Sequence, residues 1–321
     1  MRAVVRDHYC DESRIAVRDI ALPECAPGEV LIKTTSASLG PDVWHMLTGL
    51  PLAGRLAFGL RAPRSIRLGS DFAGVIQKLP SSATGLVVGD RVAGHTHGAF
   101  AEYLAVRADG LSRIPDGVTD AQACALPVSG ATALAALRKV EIDSSTSILV
   151  IGAAGGIGHL LVQLAALRSP WVTGVCRPAA KGTVTALGAA DTIDYPNTPI
   201  HATGRRWDVI FDTAGRRPIR ELRRSLTAGG SIVVIGGEGG GKILGGFGRE
   251  ILAAAPAALA HQRVRGLLGM ASKSATDQLL ALTDTGRLRP LIHTELPMDR
   301  AADGLRLLRG GHLRGKIVLT A

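Results

Sequence analysis

The amino-acid sequence predicts an α/β fold in two parts: a β-rich domain made from both chain ends, and an alternating strand–helix domain inserted between them. Two textures carry this expectation. Up to about residue 120, short β-branched or alternating segments are punctuated by Gly and Pro. From Ser147, apolar strands and amphipathic helices take turns, the pattern of a parallel sheet with crossover helices. The expected boundaries are 1–121 with 272–321 for the β-rich domain and 122–271 for the inserted, doubly wound one.

Taken in order, "MRAVVRD", "GEVLIKTTSAS", "FAGVIQKL", "GDRVAGHT" and "AFAEYLAV" read as strands, and "AQACALPVSGATALAALRKV" switches to helical composition. "SILVIG" is a buried strand, "GIGHLLVQLAALR" a helix, "WVTGVCR" a strand and "KGTVTALGA" a helix. "DTIDY" and "DVIFDTAG" follow as strands, "IRELRRSLTAGG" as a helix ending in glycines, and "SIVVIGG" as another strand. Beyond "RVRGLLGM" lie an amphipathic helix "TDQLLALTDTG", then "RPLIHTELP", a second helix "RAADGLRLLRGG" and a terminal strand "GKIVLT".

The chain has 321 residues, 46% of them hydrophobic, enough for one large or two medium cores. "MRAVVRDHYC" lacks a signal-peptide apolar region, and no stretch reaches the ~20 unbroken apolar residues of a membrane span. Cys10, Cys25, Cys124 and Cys176 show no CxxC spacing, so neither a disulfide framework nor a structural zinc cluster is expected. A soluble cytoplasmic chain with reduced thiols is the expectation. The net charge of +10 includes a basic stretch from Arg55 to Arg67 without interleaved aromatics. It reads as surface charge spread by an Arg-rich composition, not as a nucleic-acid or membrane footprint.

The loop Gly152-Ala153-Ala154-Gly155-Gly156-Ile157-Gly158 follows a strand and opens a helix, the context in which glycines cradle a dinucleotide pyrophosphate. Gly152 suits the tight turn, Gly155 and Gly156 admit phosphate oxygens, and Gly158 allows close helix–strand packing. The helix N-terminus adds free N–H groups. An NAD site places an acid about 20 residues further on, but none occurs from Ser169 through Leu187. "GVCRPAAKG" instead offers Cys176, Arg177 and Lys181, and the two cations suit a 2′-phosphate. The expected cofactor is NADPH.

Several further stretches, "APGEVLIKTTSASLGPDVWHMLTG", "LGSDFAGVIQ", "VGDRVAG", "GAFAEYLAV", "ALGAADTIDY", "DVIFDTAG" and "GHLRGKIVLT", occur in an order and spacing specific to one family. With them and the glycine loop, the chain resembles the zinc-independent, quinone-oxidoreductase-like branch of the medium-chain dehydrogenase/reductases. The resemblance implies a GroES-like catalytic domain, a Rossmann domain, NADPH in the cleft between them, and a homodimer. It puts Gly40 and Ser70 where zinc-dependent relatives carry a Cys and a His ligand, and "LPVSGAT" holds no second Cys. Metal-free catalysis is therefore expected. His95 and His97 in "GHTHG" are read as solvated rather than as a metal pair.

Where many relatives carry Asn-Pro-x-Asp, this chain has Gly40-Pro41-Asp42-Val43. The resemblance makes His45 a proton-relay candidate, against a hydrogen-bonded surface histidine. Asp42 is expected to orient His45 or to cap a helix, and Trp44 to form cleft wall. It further assigns Thr132 to phosphate or nicotinamide contact, Lys181 and Tyr195 to the 2′-phosphate and adenosine region, and Gly236 and Gly237 to the nicotinamide side. Lys316 either reaches the cofactor or pairs on the surface. Segments 49–68 and 238–262, apolar and glycine-rich, are expected to border the cleft and suit a small hydrophobic, electron-poor acceptor. The leading reading is a reductase of quinones or α,β-unsaturated carbonyls. Enoyl-thioester reduction and a non-catalytic NADPH-binding role, structural or RNA-binding, remain open beside it.

Overall fold

The structure is a computed structural model and describes residues 1–80, 85–236, 241, 243, 245, 262–267 and 271–321. The chain divides into two compact units, Met1–Ala131 with Met270–Ala321, and Thr132–Gly269.

In the first unit, β1 (Arg2–Val5) and β2 (Ala16–Asp19) form an antiparallel pair. The main sheet has seven strands. β3 (Glu29–Leu39) is its long central member, flanked by β4 (Asp71–Lys78) and, on the other side, by the C-terminal β15 (Lys316–Thr320). β5 (Arg91–His95) and the short β7 (Ser112–Arg113) extend beyond β4, β14 (Ile292–Pro297) extends beyond β15, and β6 (Tyr103–Arg107) pairs with β3. Alternation in "EVLIKTTSASL" puts Val30 and Ile32 into one apolar cluster with Phe72, Ile76, Val92 and Leu104. Ala37 and Leu39 instead enter a second cluster with Phe100, Ile317 and Leu319.

α1 (Pro41–Thr48) starts where β3 ends. Pro41 occupies its first turn, where a missing N–H costs nothing, and Gly49 at φ 61° closes it. Val43 and Leu47 anchor α1 in the second cluster. The stretch expected as one helix after residue 120 is two, α3 (Asp120–Cys124) and α4 (Pro127–Leu137), following a short α2 (Arg55–Phe58). Pro127 cannot donate to a continuing helix and restarts one instead.

The second unit is a six-stranded parallel sheet in the order β10-β9-β8-β11-β12-β13. Its strands are β8 (Ile148–Ile151), β9 (Val172–Cys176), β10 (Asp191–Asp194), β11 (Trp207–Asp212), β12 (Leu226–Val234) and β13 (Arg263–Gly266). Chain order reverses between β8 and β11, the switch point at whose carboxyl edge doubly wound sheets bind ligands. α5 (Gly158–Ala166), α6 (Lys181–Ala186) and α7 (Ile219–Arg224) are crossover helices. The segment "IRELRRSLTAGG" is helical only to Arg224, and "LTAGG" already belongs to β12. Its glycines make a bulge, with Trp207 opposite Leu226 but Val209 opposite Ser231, and Gly229 takes φ 83° to allow it. Arg263–Gly266, unassigned from sequence, adds the edge strand. In the first unit, α8 (Lys273–Asp284) and α9 (Ala301–Gly310) lie where amphipathic helices are expected.

Candidate active site

Within the second unit the glycine loop, Cys176, Arg177, Tyr195 and Gly236 lie at or just beyond the carboxyl ends of β8, β9, β10 and β12. Gly152 follows β8 at φ 79°, and a Cβ there would come 2.5 Å from Thr213 Oγ1. A Cβ at Gly158, the first residue of α5, would collide with the Gly152 carbonyl. A Cβ at Gly236 would collide with the Thr213 carbonyl. The cradle is thus packed to the backbone itself, and it fits a pyrophosphate approaching main-chain N–H groups. Ala154 is buried, and Gly155, Gly156 and Ile157 lead into α5. Gly155 N donates to Gly152 O at 2.9 Å, and His159 Nδ1 donates to Gly155 O at 2.8 Å. Thr213 Oγ1 donates to Ile151 O at 2.7 Å, and Asp212 Oδ1 accepts from Gly215 N at 2.9 Å. His159, Asp212 and Thr213 were not singled out in the sequence, where nothing marks them as neighbours of the glycines.

Arg177 follows β9, and its guanidinium lies 5.8 Å from the Tyr195 ring centre, at the end of β10. Lys181 opens α6 and is exposed. Cys176 is enclosed in the sheet, where burial pushes its thiol pKa up and the Lys181 charge works against the rise. Thr132 is buried at the start of this unit. Gly237 and nearly all of segment 238–262 lie outside the described residues.

The first unit holds the acid–base candidates, and here three expectations are corrected. Asp42 neither orients His45 nor caps α1 with its side chain. Gly40 has no Cβ, and one placed there would collide with Asp42 Oδ1, so the carboxylate folds back over Gly40 and accepts from Ser70 Oγ. His45 Nδ1 instead donates to the Leu50 carbonyl at 2.6 Å, which leaves Nε2 of the neutral ring as the proton acceptor. Trp44 lies under Arg309, whose guanidinium is 4.8 Å from the ring.

His95 ends β5 and is not simply solvated. Its Nδ1 lies 3.2 Å from Oδ1 of Asp71, which is 1% exposed, and Asp71 Oδ2 accepts from Val128 N at 3.2 Å. Burial pushes the Asp71 carboxyl up, while the His95 hydrogen bond draws it back. Burial works against a charged His95, but the bond to Asp71 and its charge outweigh it and raise the imidazole. Lys316 is no surface residue either. At 2% exposed, it donates from Nζ to Ser129 Oγ at 3.1 Å.

A glycine cradle at a sheet switch point in one unit, and buried acid–base groups in a β-rich second unit, define a dinucleotide-dependent oxidoreductase. Comparison with known proteins agrees. The zinc-binding dehydrogenase family matches residues 187–319, and the alcohol dehydrogenase GroES-like domain matches residues 26–116. A chloroplastic quinone-oxidoreductase homolog of Spinacia oleracea is 27% identical, covering 94% of this chain and 92% of its own. A chloroplastic NADPH-dependent alkenal/one oxidoreductase of Arabidopsis thaliana is 28% identical over 94% of this chain and 74% of its own. The quinone oxidoreductase of Coxiella burnetii superposes with a TM-score of 0.86 at 28% identity, over 100% of this chain and 99% of its own. The chain belongs to the medium-chain dehydrogenase/reductases, in their quinone-oxidoreductase-like branch. It has a GroES-like unit and a Rossmann-like unit, and the fold is NAD(P)-dependent. Among the described residues no helix is long and apolar enough to cross a membrane.

Proposed function

We propose that the chain is a zinc-independent, NADPH-dependent reductase of quinones or α,β-unsaturated carbonyl compounds. The observation that carries this reading is the basic, acid-free end of β9. Arg177 packs toward Tyr195 with Lys181 a few residues on, where an NAD site needs a carboxylate for the ribose diol. A guanidinium pairs bidentately with phosphate, whereas a bare ribose diol is best met by a carboxylate that accepts from both hydroxyls. The printed names of the Spinacia, Arabidopsis and Coxiella relatives support the acceptor class.

The NADPH supplies a hydride when bound; the chain supplies position, a cradle and a proton. Gly152, Gly155, Gly156 and Gly158 would hold the pyrophosphate, and Arg177, Lys181 and Tyr195 the phosphorylated ribose. Gly40 and Ser70 offer neither thiolate nor imidazole, and among the described residues no three His, Cys, Asp or Glu side chains converge as metal ligands. Such a donor set favours acceptors that delocalise the incoming charge themselves over alcohols needing a Lewis acid. His45, with Nδ1 tied to Leu50, can carry a proton on Nε2 and release it to the reduced acceptor. Segment 49–68 presents Leu52, Leu56, Leu60 and Ile66 to solvent, which suits a hydrophobic acceptor. A cytoplasmic homodimer acting on a small molecule, with no nucleic-acid or membrane partner, completes the reading.

The test is NADPH oxidation with a benzoquinone and with an unsaturated aldehyde, NADH serving as control. Turnover of either acceptor by NADPH and little by NADH is expected. Arg177→Ala should lower the NADPH-over-NADH preference by about tenfold or more, the size of one charge-assisted hydrogen bond. An unchanged preference would overturn the cofactor assignment.

A further inference from the structure

The strands of the parallel sheet have two ends, and the glycine loop uses only one. At the other, the amino ends of β8, β9, β10 and β11 border a cavity of about 430 Å³, in the size range of small-molecule sites. Trp171 stands immediately before β9 and Arg177 immediately after it, about 20 Å apart along an extended strand. The cavity is therefore separate from the expected cofactor residues.

Its walls combine an open aromatic face with two guanidinium groups. Trp171 is 59% exposed, although Val172 beside it in the chain and Trp207, which also lines the cavity, are buried. Arg205 is held in place. Its guanidinium lies 5.2 Å from the Trp207 ring, with Nη1 donating to Asp191 Oδ2 and Nη2 to Thr173 Oγ1. Trp207 Nε1 donates to the same Thr173 hydroxyl at 3.3 Å. Arg206 is exposed and, among the described residues, has no hydrogen bond or ion pair.

The acceptors around the cavity are already spent. Asp191 Oδ1 takes the Thr192 N–H, and Oδ2 the Arg205 guanidinium. Ser145 Oγ donates to Asp143 and Ser147 Oγ to Asp208. Those two carboxylates also take the N–H groups of Ser145, Thr146 and Ser147. What remains is donors: the five N–H groups of Arg206, those that Arg205 has left, and the Trp171 indole N–H. Unspent donors beside an open indole face call for a ligand that brings a flat ring and anionic oxygens.

We propose that this cavity binds a small planar aromatic compound carrying a carboxylate or comparable oxyanion, its ring on the Trp171 indole and its charge against Arg206. Arg205, fixed by Asp191, Thr173 and Trp207, forms a wall that needs no rearrangement on binding. The site is independent of which acceptor the chain reduces.

The probe is 2-naphthoate, titrated calorimetrically at millimolar concentration into the full-length protein with and without saturating NADPH. It is expected to bind with an affinity that NADPH leaves unchanged. Trp171→Ala and Arg206→Ala should each weaken binding by about tenfold, the size of a lost stacking platform or a lost charge-assisted hydrogen bond. Both side chains are exposed, and Trp171 makes its hydrogen bonds to Ser169 and Ile148 through its main chain. Both variants should therefore keep the fold and the wild-type NADPH affinity. The flat but neutral 2-naphthamide, and the charged but non-aromatic cyclohexanecarboxylate, should each bind more weakly than 2-naphthoate. Failure of 2-naphthoate to bind overturns the inference, as does binding that NADPH displaces or that survives both substitutions. Cyclohexanecarboxylate binding as tightly as 2-naphthoate also overturns it, because the indole would then contribute nothing.

Discussion

Gly158 shows what one missing methyl group does. A Cβ there would strike the Gly152 carbonyl, main chain on a turn that Gly152 itself holds at φ 79°. Neither side can yield without opening the β8–α5 turn. Gly158→Ala should therefore cost about 1–3 kcal/mol of stability by overpacking. It should also weaken NADPH binding more than a substitution at the exposed Gly182, where nothing lies within 4 Å of an added Cβ. Urea denaturation and a cofactor titration of the two variants check this. The glycine roles were legible because they are local: seven consecutive residues contain both the turn and the contact. The Lys316–Ser129 bond was not, since it joins positions 187 residues apart. Nor was the back-folding of Asp42, which depends on Ser70 lying alongside. Side-chain partners across a sheet are set by register, and register has no signature in a short motif.

At the scale of elements, periodicity found most strands and helices but misjudged one glycine pair. "TAGG" after a helical run reads as a C-cap, because glycine is the common residue where a helix ends. Here Ser225 already ends α7, and the pair serves a bulge that lets β12 skip from Leu226 opposite Trp207 to Ser231 opposite Val209. Glycine's tolerance of positive φ serves both purposes, so residue type alone does not separate them. Gly229, at φ 83° with nothing within 4 Å of an added Cβ, isolates the backbone contribution. Gly229→Ala is expected to cost about 1–2 kcal/mol from the left-handed conformation alone. Chemical denaturation measures it, and Gly229→Asn, better tolerated in that region, should recover part of the loss.

Across the whole molecule, the switch from short strands to alternating strand and helix was readable because it is a property of many residues at once. Burial of charge was not, since the apolar pattern of β4 does not reveal that Asp71 at its start is enclosed while paired with His95. That pairing gives the molecule a pH dependence whose sign can be worked out. The groups acting on His95 are Asp71 and Asp42, which raise its pKa against burial; neighbouring His97, at 6.1 Å between rings, is itself lowered by burial and by the His95 charge. A histidine whose folded pKa lies above its unfolded value of about 6.5 binds its proton more tightly when folded. Its contribution is therefore complete below that value and lost as pH rises through the folded pKa. Asp71, raised chiefly by burial, carries the same sign from about 3.9 upward. Urea midpoints taken from about pH 5 to pH 9 should thus fall on the alkaline side of neutrality. His95→Asn should flatten that fall, because the neutral amide keeps a hydrogen-bond donor near Asp71 but has no proton to lose. A wild-type midpoint that rises through the same window would show that the Asp71–His95 pair does not hold its proton in the folded protein.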